Sequence, residues 1–148
     1  MITIASQASH IARAATMPHL TIEYSSNLTP GIDIQALVDR LHSAAIETGV
    51  FPLGGIRTRA AARDHYRIAD GDPSHAFVHV VVRIAAGRDQ VTRDRARQHV
   101  FEALTAALAG VMETRGLAIS FELQEITPAF SARLNNIHQR LAARTPGP

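Results

Sequence analysis

The chain of 148 residues contains no cysteine, no lysine and no tryptophan, and only 5% of it is aromatic. Without cysteine there is no disulfide framework, no thiolate nucleophile and no sulfur-based metal site, and the redox compartment leaves no trace. No apolar run approaches the ~18 residues that would mark a membrane-spanning helix. Nucleic-acid binding through stacked bases and a basic groove fits poorly, because aromatics are scarce and 13 acidic residues dilute the 15 cations. The missing lysine says most. Every cation is an arginine, so the sequence pI is about 9.9 although the net charge is only +2. Nine of these arginines fall between Arg57 and Arg97. A solvated face in a chain encoded by GC-rich DNA is the ordinary reading. Recognition of small anions is the functional one, because the planar guanidinium fork matches a carboxylate.

At 46% hydrophobic the chain can build one core, and its length suits a single domain, expected over 17–148. A domain this small leaves much surface uncovered, so association of subunits is expected. Met1–Thr16 differs in composition from the rest of the chain: it is rich in alanine and serine, with one arginine and no acid. It lacks the basic start and apolar core of a secretory signal. The expectation is a leader, a disordered tail or a mis-assigned start.

From Pro18 the pattern is regular. His19–Ser25 alternates with period two and reads as a strand. Asp33 is a candidate N-cap for a helix to about Thr48, with a stripe of Ile34, Leu37, Val38, Leu41 and Ala45. Ile56–Ala60 and His65–Ala69 read as an extended pair or one bent strand. Phe77–Ile84 is the clearest strand, with Val78, Val80, Val82 and Ile84 on one face. Thr92 or Asp89 can cap a long helix to about Arg115, its stripe being Val100, Leu104, Ala107, Leu108, Val111 and Met112. Leu117–Ile126 is a further strand, and Asn135–Leu141 a short helical candidate. The order is strand, helix, strand, twice. Two right-handed βαβ units in one four-stranded mixed sheet, with two helices on one face, give a compact α+β domain. The other sheet face keeps Phe77, Val81 and Leu20 or His19, and a half-apolar face invites sheet-on-sheet packing between subunits.

Met17-Pro18 is the dipeptide with chemical promise. A proline at a strand start is ordinary as structure. An initiator methionine before proline, however, is usually removed, and that would expose a secondary amine. Such an α-amino group titrates near pH ~8. Burial and nearby arginines would lower that value toward neutrality, where a general base works best. The eight histidines suggest a metal by number only. His75 and His79 lie far apart along an extended segment, and no His-Glu-x-x-His helix is present. Gly54-Gly55 and Ala86-Gly87 are turns without phosphate-loop spacing.

The segments Pro18-His19-Leu20-Thr21-Ile22-Glu23-Tyr24-Ser25 and Phe51-Pro52-Leu53-Gly54-Gly55-Ile56-Arg57-Thr58-Arg59 resemble the 5-carboxymethyl-2-hydroxymuconate isomerases of the tautomerase superfamily. So do Ala69-Asp70-Gly71, Ala76-Phe77-Val78-His79, Ala86-Gly87-Arg88, Ile119-Ser120-Phe121-Glu122 and Asn135-Asn136-Ile137-His138, in the same order. The resemblance covers nearly everything after Met17. It implies a tautomerase fold, a homotrimer and a cofactor-independent, metal-free, cytoplasmic enzyme of homoprotocatechuate degradation. Its partner is a small anion rather than nucleic acid or membrane. The N-terminal proline base falls on Pro18, and the two substrate-holding arginines on Arg57 and Arg88. Arg59 and His19 are secondary candidates. The alternatives are a tautomerase for another 2-hydroxydienoate and, should Pro18 stay acylated by the leader, a non-catalytic trimeric module for small anions.

Overall fold

The computed structural model describes residues 18–144, so the leader and its boundary lie outside the described residues. Four strands form one sheet: β1 (His19–Ser25), β2 (Arg57–Arg63), β3 (Ala76–Ala85) and β4 (Leu117–Ile126). Their order is β2-β1-β3-β4. β1 runs parallel to β2 and antiparallel to β3, and β3 runs parallel to β4. Each parallel pair is joined through a helix, α1 (Ile34–Glu47) in the first half and α2 (Gln90–Thr114) in the second. This is the mixed sheet of two βαβ units that the alternation of elements implied.

Side-chain period fixes which face the helices cover. Leu20, Ile22 and Tyr24 on β1 share a buried core with Val78, Val80, Val82 and Ile84 on β3. Leu37 and Leu41 of α1 and Val100, Leu104 and Leu108 of α2 close over them. Apolar residues three or four apart put these side chains on one stripe of each helix. The Asp33 carboxylate accepts from the Ala36 N–H at 3.0 Å, and the Asp89 carboxylate from the Thr92 N–H at 2.7 Å. Such caps satisfy an otherwise orphaned N-terminal donor and contribute about 1 kcal/mol each. Asp89, rather than Thr92, is therefore the cap of α2.

Several expectations need correction. His65–Ala69 is not a strand; it lies in the connection between β2 and β3. There Tyr66 meets Phe77 edge-on with ring centroids 6.2 Å apart, and the Asp70 carboxylate pairs with His75 at 2.9 Å. Loop chemistry around Asp70, Gly71 and Pro73 outweighs the weak alternation there. Ala107 and Met112 are exposed, and Ala96 and Ala103 take their places in the stripe of α2. Both misassigned positions adjoin correct ones, Ala107 beside buried Leu108 and Met112 beside half-buried Val111, so the apolar run is wider than the buried line. Leu20 belongs to the core, whereas His19 is on the open face. A third helix, α3 (Ile137–Arg144), packs against the Leu53–Gly55 turn rather than on the sheet. Among the described residues no helix is long and apolar enough to cross a membrane.

Candidate active site

The register gathers every sequence-derived candidate at one end of the sheet. His19 pairs with Arg57 on β2 and with Arg83 on β3. Pro18 therefore enters the sheet where β2 begins and β3 ends. Its side chain is fully buried, and its carbonyl accepts the Arg57 N–H at 3.3 Å. That bond ties the backbone of one candidate to that of the other. Because paired residues share a sheet face, Arg57 and Arg83 flank His19 on the open face. Arg59, two residues on, lies on that face too.

These cations have an electrostatic consequence. The Arg59 guanidinium donates to His19 Nδ1 at 3.4 Å, which requires an unprotonated nitrogen. Burial, first, and then the charges of Arg57, Arg59, Arg133 and Arg83 hold the His19 imidazole below its ordinary value of 6.5. His19 is thus neutral at pH 7, and the positive field beside Pro18 comes from the arginines. The sign for stability follows from linkage. The unfolded chain takes up a proton at His19 before the folded one does, so stability is present above pH 6.5 and is lost as pH falls through the folded value. The melting temperature is expected to drop with acidification below 6.5 more steeply in the native sequence than in His19→Gln. Parallel pH profiles from calorimetry on the two proteins would show that His19 carries no such penalty.

Arg88 is presented by a different device. β3 ends at Ala85, and Gly87 takes φ 117°, a left-handed conformation that a side chain would strain. The turn places the Arg88 guanidinium 5.1 Å from the centre of the Phe51 ring, and Nη1 donates to the Ala85 carbonyl at 3.1 Å. Stacking on an aromatic face orients a guanidinium and favours its charge. Burial draws its proton affinity down, while Glu125 opposes that effect. Glu125 is itself held by Arg93 at 2.7 Å.

Sequence reasoning missed the far side of this end. The chain after β4 returns to the Leu53–Gly55 turn that feeds Arg57. Asn135 Nδ2 donates to the Gly54 carbonyl at 2.9 Å. The His138 ring lies so close to Gly54 that an added Cβ would sit 2.6 Å from its Nδ1, so only glycine fits. His138 Nε2 is buried without a hydrogen-bond partner among the described residues. The motif Asn135-Asn136-Ile137-His138 was visible in the sequence, but nothing local connects it with Gly54.

A groove of about 570 Å³ between the start of α1 and the end of α2 is lined by Leu28, Ile32, Leu37, Leu108 and Val111. Leu28 follows the C-terminal end of β1, so the groove opens at the opposite end from Pro18 and contains none of the candidates.

A sequence model described as 5-carboxymethyl-2-hydroxymuconate isomerase matches residues 18–141. The chain belongs to that family. It is 38% identical over 122 residues to the 5-carboxymethyl-2-hydroxymuconate Delta-isomerase of Escherichia coli, covering 82% of this chain and 97% of the relative. The crystal structure of a 5-carboxymethyl-2-hydroxymuconate isomerase from Deinococcus radiodurans R1 superposes with a TM-score of 0.81 at 39% identity, over 86% of this chain and 96% of that one. A structure titled as a fused 4-OT wild type symmetric trimer matches at 20% identity and a TM-score of 0.53, over 73% of this chain and 85% of that one. That last likeness concerns the fold, which is the tautomerase superfamily fold. The chain is accordingly an isomerase of the 5-carboxymethyl-2-hydroxymuconate isomerase family. The family match begins at Pro18 and extends through His138, so it takes in both the β1 start and the segment folded against Gly54.

Proposed function

We propose that the protein ketonises 5-carboxymethyl-2-hydroxymuconate, with Pro18 as the base and Arg57 and Arg88 as the substrate-holding cations. The single observation that supports it best is the convergence at one sheet end of Pro18, fully buried, with Arg57 bonded to its carbonyl and Arg88 on the adjoining turn. A dienol becomes an enone when its hydroxyl proton leaves and a proton returns to carbon at the far end of the conjugated chain. One group can do both, so atoms and charge balance without a co-reactant. Pro18 suits this role when its nitrogen is an amine. Burial and the surrounding arginines disfavour its ammonium form, and the neutral amine takes the hydroxyl proton and hands it to carbon. Negative charge gathers on the 2-oxygen meanwhile, where a fixed guanidinium stabilises it. Carboxylates clamped by bidentate arginine hold a flexible polyanion in one reactive pose.

The open sheet face, with Phe77 and Val81 half-buried among charges, supports assembly of subunits sheet against sheet as a homotrimer, and the structurally similar fused 4-OT is described as a symmetric trimer. The expected result is that protein beginning at Pro18 bleaches the ultraviolet absorbance of the dienol catalytically and that chelators leave the rate unchanged. A rate equal to that of buffer would refute the assignment. Turnover of other 2-hydroxydienoates but not of this one would move it to the neighbouring tautomerase activity.

A further inference from the structure

We infer that the segment following β4 is a wall of the substrate site, and that Arg133 on it binds a third carboxylate of the substrate. The inference rests on the activity proposed above, because it deepens the assignment of the same site. Its basis is topological. β4 ends at Ile126, which pairs with Ala85 at the end of β3, on one edge of the sheet. Asn135 is bonded to Gly54, which precedes β2 on the opposite edge. Between these anchors the chain must cross three strand spacings, ~14 Å, and residues 127–134 can reach up to ~27 Å when extended. The ends of the sheet available to it are not equivalent: both anchors lie at the end where Pro18, Arg57 and Arg88 are found. The segment therefore runs past the candidate site, and not around the back of the domain.

Arg133 is placed near the end of that crossing, two residues before the Asn135 anchor. Its Nη2 donates to Ser131 Oγ at 3.2 Å, within its own segment. After burial, its charge is one of the four arginine charges that favour the neutral His19 imidazole, behind those of Arg57 and Arg59. His19 directly follows Pro18, so the Arg133 charge acts within the field of the site. A third cation has a chemical reason. Muconate is a dicarboxylate, and the carboxymethyl group of 5-carboxymethyl-2-hydroxymuconate adds a further carboxylate at the end of the molecule remote from the hydroxyl. Two arginines can clamp two carboxylates; the third needs a partner or stays in water. Arg133 thereby separates a substrate bearing the carboxymethyl group from one lacking it. Asn135 is the positioning residue, fixing both the wall and the turn before Arg57.

The test is calorimetric binding of two unreactive probes, pentane-1,2,5-tricarboxylate and adipate, to the native protein, Arg133→Gln and Arg133→Lys. The native protein is expected to prefer the tricarboxylate. In Arg133→Gln its affinity should fall about tenfold to a hundredfold, the scale of one lost charge-assisted hydrogen bond, while adipate affinity changes less than about twofold. Arg133→Lys should recover part of the loss. Equal losses for both probes would overturn the inference in favour of a structural role, and an unchanged tricarboxylate affinity, or no preference in the native protein, would overturn it outright. Turnover of 5-carboxymethyl-2-hydroxymuconate by the same native protein is read separately. Arg133-dependent tricarboxylate preference without turnover would refute the catalytic assignment and leave the binding wall standing.

Discussion

Protein whose first residue is Pro18 is expected to ketonise 5-carboxymethyl-2-hydroxymuconate at least about 10²-fold faster than the 148-residue chain, the scale of general acid–base catalysis. In the longer chain the proline nitrogen is an amide bonded to Met17. An amide nitrogen has no useful basicity, so it can neither take the hydroxyl proton nor return it to carbon. Everything else in the site is shared, including Arg57, Arg88 and the buried ring. The comparison therefore isolates one nitrogen. Stopped-flow loss of dienol absorbance, with intact mass confirming each start, measures it directly. The rate of the shorter protein should rise with pH along a limb centred below ~8, because burial and arginine charge both favour the neutral amine. Pro18→Ala in that protein keeps an amine, primary and less confined, and should lose rate while keeping the fold. Equal rates for the two chain lengths would take Pro18 out of the mechanism.

Arg88→Ala is expected to raise KM for a dicarboxylate substrate about tenfold to a hundredfold and to raise it far less for a monocarboxylate. Removing a hydrogen bond to a charged group costs about 1.5–3 kcal/mol. The half-buried setting strengthens that interaction relative to water. Arg88 also loses little freedom on binding, since Phe51 and the Ala85 carbonyl already hold it. Arg88→Lys keeps the charge without the fork and should fall between. Steady-state kinetics with a dicarboxylate and a monocarboxylate enol separates the outcomes. If both substrates suffer alike, Arg88 serves mainly to cover Phe51 and is not a clamp.

Local pattern carried far in this chain. The alternation of His19–Ser25 and of Leu117–Ile126 matches β1 and β4 to the residue, because a strand with one buried face must alternate apolar and polar side chains. Asp33 was identified as a cap by its chemistry alone, before a run of helical period, whereas for α2 the sequence left Asp89 and Thr92 open and the structure chose Asp89. Arg57 and Arg59 share a face on parity. Where local signals were weak, reading failed: His65–Ala69 lacks a buried partner, and the apolar run of α2 is wider than the line it buries.

By itself, the sequence determined the elements, their order and the kind of chemistry on offer: a proline at a strand start, arginines in place of lysines, and no sulfur ligands. These follow from side-chain period, capping and composition, which are properties of neighbours along the chain. Tertiary structure alone decided that Arg83 and Arg133 act on His19, that Phe51 supports Arg88, and that Asn135 and His138 close on Gly54. Those relations join residues up to 114 positions apart through sheet register and a chain crossing the sheet end. Register is set by how all four strands pack under two helices, a balance that no local window contains.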